Sequence, residues 1–201
     1  MLKNIATCMD NYGVGDGSEW GHNIVSTKAV QGPSGRVGYP GHVDRLPLDA
    51  ALVKCQALAE AAYLQGKNAS FDVWGSEGAE GFEPYYVAAH ETWRCERITA
   101  QAIRAAFGGT LYPKASITLE TLDALSRGLD DQTEGADDER FEQWRELIRW
   151  FRSHPDFVET AYVSIDSDGE SLEGGCVYPR LMLGRLADGS LVGLFGVVVY
   201  T

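Results

Sequence analysis

The spacing of apolar positions changes several times along this chain, and each change marks an element. Leu48, Leu52, Cys55, Leu58, Ala59 and Ala62 recur at the interval of a helix face, with Pro47 near the first turn and Gly66 at the end. They predict a helix over 48–66. Trp93, Ile98, Ala102, Ile103 and Ala106 predict a second helix from Ala89 to Phe107, stopped by Gly108 and Gly109. A third, short helix is expected from Leu119 to Arg127, with Thr118 as its N-cap and Thr121 close behind. The fourth has the clearest pattern, because Phe141, Trp144, Leu147, Ile148 and Phe151 line one face of 139–153. Asp137 and Asp138 stand where a helix N-terminus favours carboxylates, and His154-Pro155 ends the run.

Strand patterns fill the remainder. SFDVWG, 70–75, is a candidate short strand, and the GSEGAEGFEP that overlaps its end reads as a loop. After the fourth helix the period becomes two, in ETAYVSIDSDGE and then in GGCVYPRLMLGRLADGSLVGLFGVVVY, where ADGS joins two strands as a hairpin. Residues 11–47 are rich in glycine, proline and polar residues without repeat or period, and predict loops with one or two short strands. Helices followed by a terminal meander of strands define an α+β layered domain. With 201 residues and 44% hydrophobic content, the chain has the material for one ordinary core. We expect a loop-rich N-terminal extension over 1–47 and one α+β domain over 48–201.

No stretch approaches the length of apolar sequence that crosses a bilayer, and the apolar run after Lys3 is too short for a signal peptide. The expectation is a soluble, cytoplasmic protein. Cys8, Cys55, Cys95 and Cys176 are far apart with no CxxC pair, which points to buried free thiols rather than a zinc ribbon or a disulfide framework.

Charge changes the picture most. The net charge is -12, and it is not spread evenly. Residues 118–174 hold 16 acids against 5 bases, whereas 1–117 hold 12 against 10 and 175–201 hold 1 against 2. The densest part is GLDDQTEGADDERFEQW, 128–144, where Asp130, Asp131, Glu134, Asp137, Asp138, Glu139 and Glu142 face a single arginine, Arg140. Such a field repels a phosphate backbone, so nucleic acid is not expected as a direct ligand. The plain alternative is a solvated acidic face that aids solubility; the functional one is a basic protein surface as partner.

Motifs for chemistry are incomplete. GVGDG, 13–17, has glycines of a phosphate loop but neither a strand before it nor a helix after it. HETWR, 90–94, begins like a zinc-protease HExxH yet ends in Arg94, so the second ligand is absent. DSDGE, 166–170, places its glycine fourth where a calcium loop needs it sixth, and reads better as a turn between strands. His22, His42, His90 and His154 lie in separate segments, and no nucleophile signature such as GxSxG marks a site. Asn68-Ala69-Ser70 is a glycosylation sequon that matters only in a secreted protein. No catalytic residue, metal ligand or cofactor is assigned.

The last ninety or so residues carry a resemblance. TLETLDALSRGLDDQTEGADDERFEQWRELIRWFRSHPDFVETAYVSI, followed by RLMLGRLADGSLVGLFGVVVYT, resembles the C-terminal two-thirds of the nuclease A inhibitor family over about residues 110–201. Ser126-Arg127, the 130–139 acid run, the 139–153 helix and a closing hairpin with Gly184, Gly189, Leu191, Gly193 and a terminal valine run stand in the family's order. The resemblance implies a layered α-β-α sandwich with a C-terminal antiparallel hairpin. It also implies an inhibitor, not an enzyme, that blocks sugar-nonspecific, magnesium-dependent endonucleases. It places Thr201 toward a metal-bound water of the nuclease. The family's metal-facing glutamate would fall near QGKNAS, 65–70, which contains no acid, and Gln132, Thr133 and Glu134 stand where the family's linker has a tryptophan contact.

The expected partner is therefore a basic protein, with no membrane role. Asp130, Asp131, Gln132, Glu134, Asp137, Asp138 and Thr201 are its expected contacts. A compact acidic protein can occupy a nuclease groove by presenting the charge of the backbone it replaces. Two further readings stand beside this one. A phage or mobile-element anti-defence protein, an anti-CRISPR or antirestriction factor acting on a nucleic-acid-binding complex, would use the same electrostatics. A cysteine- or histidine-dependent hydrolase would instead draw on the N-terminal half, with His90 and Cys95 as its first candidates.

Overall fold

The computed structural model describes residues 37–38, 50–77, 81–89, 93–106, 115–132, 139–166 and 177–200. Its strands are β1 (Val37–Gly38), β2 (Glu83–Val87), β3 (Ser116–Glu120), β4 (Glu159–Asp166), β5 (Val177–Arg185) and β6 (Leu191–Val199). They form one sheet in the order β1-β2-β6-β5-β4-β3, every neighbouring pair antiparallel. The helices are α1 (Ala50–Gly66), α2 (Ala100–Ala106), α3 (Leu122–Gln132) and α4 (Glu139–Ser153), with a 3-10 turn at Phe71–Trp74. The fold is α+β.

Helical elements cover both faces of the sheet, so the central strands bury both sets of side chains. On one face Tyr85, Val163, Leu181, Leu183 and Phe195 pack against Trp93, Cys95, Ile98, Ile103 and Ala106. On the other, Tyr162, Met182, Leu194 and Val198 meet α3, α4 and the 3-10 turn, while Tyr86 and Val192 lie under α1. This explains LVGLFGVVV in β6, which is buried at every position but the last and shows no polar alternation. Among the described residues, no helix is long and apolar enough to cross a membrane.

α1, α4 and the hairpin follow the sequence pattern closely. Leu52, Cys55, Leu58, Ala59 and Ala62 are buried on α1, and Trp144, Leu147, Ile148 and Phe151 on α4. β5 and β6 pair from Val177↔Val199 to Arg185↔Leu191. Their turn is closed by Leu186 N–H donating to the Ser190 carbonyl at 2.9 Å and by Ser190 N–H donating to Asp188 Oδ1 at 2.9 Å. Gly189 has φ +89°, the left-handed region that favours glycine, and a Cβ there would lie 3.0 Å from that of Arg94. Gly66 does more than end α1. A Cβ on it would sit 2.6 Å from Leu194 Cδ1, so glycine lets the helix end approach β6 closely.

Four expectations are corrected. SFDVWG is not a strand, because Ser70 caps a single 3-10 turn by accepting from Asp72 N–H, and Gly75 closes it at φ +79°. Part of the expected loop after it is instead β2, which lies between β1 and β6 in the sheet. The second helix spans only Ala100–Ala106, capped by Thr99 Oγ1 accepting from Ala102 N–H at 3.1 Å. Trp93 and Ile98 reach the same core from a loop that precedes it. The third helix starts at Leu122, and Thr121, not Thr118, caps it through Ala124 N–H at 3.2 Å. Thr118 belongs to β3. Apart from β1, the expected 1–47 extension lies outside the described residues.

Candidate functional site

α3 brings its apolar face, Leu122, Leu125 and Leu129, onto the core and leaves Asp130, Asp131 and Gln132 exposed at its C-terminal end. This is the end where a helix dipole disfavours carboxylates, and the last turn holds no basic residue. Each acid there costs about 0.3–1 kcal/mol before other charges are counted. α4 crosses beside it and supplies those charges. Arg145 Nε donates to Asp130 Oδ1 at 3.2 Å and approaches Glu142 at 3.5 Å; Arg149 reaches Glu142 at 3.5 Å, and Arg152 pairs with Asp123 at 2.7 Å. Arg140 pairs with Asp72 on the 3-10 turn. Burial works to raise the Asp72 carboxyl, but the hydrogen bond and charge of Arg140 outweigh it and hold the group below its ordinary range.

The acidic surface is thus partly compensated from within. These pairs are largely exposed, and each is worth about 0–1 kcal/mol. Glu120, Asp131, Glu139 and Glu146 are exposed and hold no ion pair among the described residues. The sequence expectation overlooked the arginines as organisers of this surface. Their signal was the spacing of Arg145, Arg149 and Arg152, which continues one helical stripe past Glu142. Of the expected contacts, Asp130, Asp131 and Gln132 are brought together at one helix end. Glu134, Asp137, Asp138 and Thr201 lie outside the described residues. The strand that leads to Thr201 is fixed as far as Val199, whose N–H donates to Ser76 Oγ at 3.0 Å and whose carbonyl accepts from Glu77 N–H at 2.8 Å.

The residues of the hydrolase reading serve structure where they are described. Cys95 is buried and its thiol donates to the Arg97 carbonyl at 3.1 Å. Burial pushes that thiol up to about 11, which removes the thiolate a nucleophile needs. Cys55 is buried on the inner face of α1. His154 accepts the Asp156 N–H on Nδ1 at 3.3 Å, and its ring packs against Trp150 and Phe157 at 4.6 and 4.9 Å. His22, His42 and His90 lie outside the described residues, as do Cys8 and Cys176. Among the described residues, no group of three or more His, Cys, Asp or Glu could hold a metal ion. In comparisons with known proteins, the chain matches no protein-family model and no curated protein.

Proposed function

We propose that this chain is an acidic protein inhibitor that binds and blocks a basic nucleic-acid enzyme, a magnesium-dependent nonspecific nuclease in the first instance. The observation that carries the reading is the exposed placement of Asp130 and Asp131 at the negative end of α3, with no basic residue in that turn. Arg145 of α4 compensates Asp130, but Asp131 holds no ion pair among the described residues, and a basic groove is a surface that such uncompensated charge would complement. Beside them, Glu139 and Glu146 on α4 extend the acidic face. Resemblance of 110–201 to the nuclease A inhibitor family adds the target class, with Thr201 as a metal-facing contact. The anti-defence reading shares this electrostatic surface and differs in its target. It draws on the acid-free QGKNAS stretch, where the inhibitor family has its metal-facing glutamate.

The test is inhibition and association kinetics against a sugar-nonspecific magnesium endonuclease over a range of salt. Asp130, Asp131, Asp137 and Asp138 changed together to asparagine should slow association at low salt about tenfold or more and flatten its salt dependence, because exposed charges act mainly on encounter. Unchanged association kinetics in that variant, or no inhibition by the native chain, overturns the reading.

A further inference from the structure

Between Trp93 and α2 the chain presents two arginines that the rest of the described residues do not use. Arg104, Arg180, Arg185 and the arginines of α4 each donate to a carboxylate or a backbone carbonyl. Arg94 and Arg97 are exposed and hold no such partner among the described residues. Both line one depression of about 530 Å³, open to solvent, whose apolar side is formed by Trp93, Ala102 and Ala105. That volume lies within the range of about 300–1,000 Å³ usual for small-molecule sites.

The loop is fixed although it has no regular structure. Cys95 N–H donates to the Gly189 carbonyl of the β5–β6 turn at 2.9 Å, and the Cys95 thiol donates to the Arg97 carbonyl. Ile98 N–H donates to Glu159 Oε2 at 3.1 Å, and that carboxylate is itself held by Arg185 Nε at 3.1 Å. Trp93, Cys95 and Ile98 are buried, so the intervening Arg94 and Arg97 are displayed from anchored backbone. The anchored backbone removes the loop's share of the ordering cost of binding an anion, so that only the two side chains remain to be ordered. Glu96 lines the same depression and opposes an anion there.

We propose that this depression is a binding site for a small organic anion, a carboxylate or phosphate carried on an apolar or aromatic body. Arg94 and Arg97 take the anionic group and the Trp93, Ala102 and Ala105 side takes the body. The site is independent of the acidic α3–α4 surface and of the inhibitor reading.

The experiment is a titration of the full chain with phenyl phosphate, followed by amide chemical shifts and by calorimetry, with inorganic phosphate as the second probe. Phenyl phosphate should bind saturably with Kd of about 1 mM or tighter, shifting amides within 93–105, and inorganic phosphate should bind at least about fivefold more weakly for lack of the body. Arg94→Gln with Arg97→Gln should weaken phenyl phosphate at least about tenfold without lowering the Tm, because both side chains are exposed. Glu96→Gln should tighten it, and Ala105→Glu should weaken it while leaving both arginines in place. Non-saturable shifts, shifts confined to other regions, or an unchanged Kd in the double arginine variant overturn the proposal. Equal binding of the two probes overturns the part assigned to the apolar wall.

Discussion

Trp144→Ala is the sharpest test of how α4 is held. Trp144 is fully buried, and its ring lies edge-on or tilted to Phe71, Trp74, Phe82 and Tyr162 at 5.5, 5.4, 5.3 and 6.3 Å. Its indole N–H donates to the Ser70 carbonyl at 2.7 Å, which ties α4 to the start of the 3-10 turn. Truncation to alanine costs about 3–5 kcal/mol in lost burial and cavity. The Ser70 carbonyl then loses its partner, at about 1 kcal/mol more. A loss of about 4–6 kcal/mol is a large share of the roughly 5–15 kcal/mol that an ordinary domain has, so the alanine variant is expected to be partly unfolded. Trp144→Phe is the quantitative companion: it keeps a ring but loses volume and the N–H donor, and should cost about 2 kcal/mol. In urea denaturation with a slope of about 2 kcal/mol/M, that lowers the midpoint by about 1 M at constant slope. If both variants keep midpoints within about 0.3 M of the native chain, Trp144 is not a core residue and the packing of α4 described above is wrong.

Cys95 should resist alkylation. With its thiol at about 11, the thiolate fraction at pH 8 is about a thousandth, against about a quarter for an ordinary thiol, so iodoacetamide should label it at least about two hundred times more slowly in the native chain than in urea. Site-resolved peptide mass spectrometry measures this, and native labelling within tenfold of the unfolded rate would return Cys95 to the nucleophile candidates. For acid stability, Asp72 is held below its unfolded value by Arg140, so its contribution is present above about pH 3.9 and is lost as pH falls through the folded value. Arg140→Gln should therefore lower the urea midpoint at pH 7, and the difference from the native chain should shrink as pH falls below about 3.9 and Asp72 takes up its proton; a difference that does not change with pH refutes the pairing.

What was legible in the sequence depended on how local each element's cause is. α4 and the β5–β6 hairpin are specified by neighbours: five apolar residues on one face in the first case, and an Asp188-Gly189 turn between matched runs in the second. β2 was not legible, because EPYYV is short, begins at Glu83-Pro84 and gains its strand character from β6, which lies far along the chain. The opposite error befell the second helix. Trp93 and Ile98 stand at helical spacing from Ala102 and Ile103, yet they reach the core from a loop anchored by Cys95 N–H on the Gly189 carbonyl and Ile98 N–H on Glu159, which no periodicity reveals. Phe71 and Val73 alternate like a strand, and only the Ser70 cap and the left-handed Gly75 turn them into a helical turn. Thr118 and Thr121 are both credible caps, and the exposed and half-buried alternation over Ser116–Glu120 decides for Thr121.

Charge shows the same division between composition and geometry. The surplus of acids in 118–174 could be counted from the sequence, but counting cannot say which carboxylates a partner would meet. In the fold, Asp130, Glu142 and Asp123 face arginines of α4, while Asp131, Glu139 and Glu146 hold no ion pair among the described residues. A partner's cations must displace those arginines to use the first set and need displace nothing to use the second. Exchange of one exposed pair for another gains little, since each is worth about 0–1 kcal/mol. On the proposed inhibitor reading, specific contacts would therefore fall to the second set, and the first set would serve the long-range field only to the extent that its arginines leave a net negative charge.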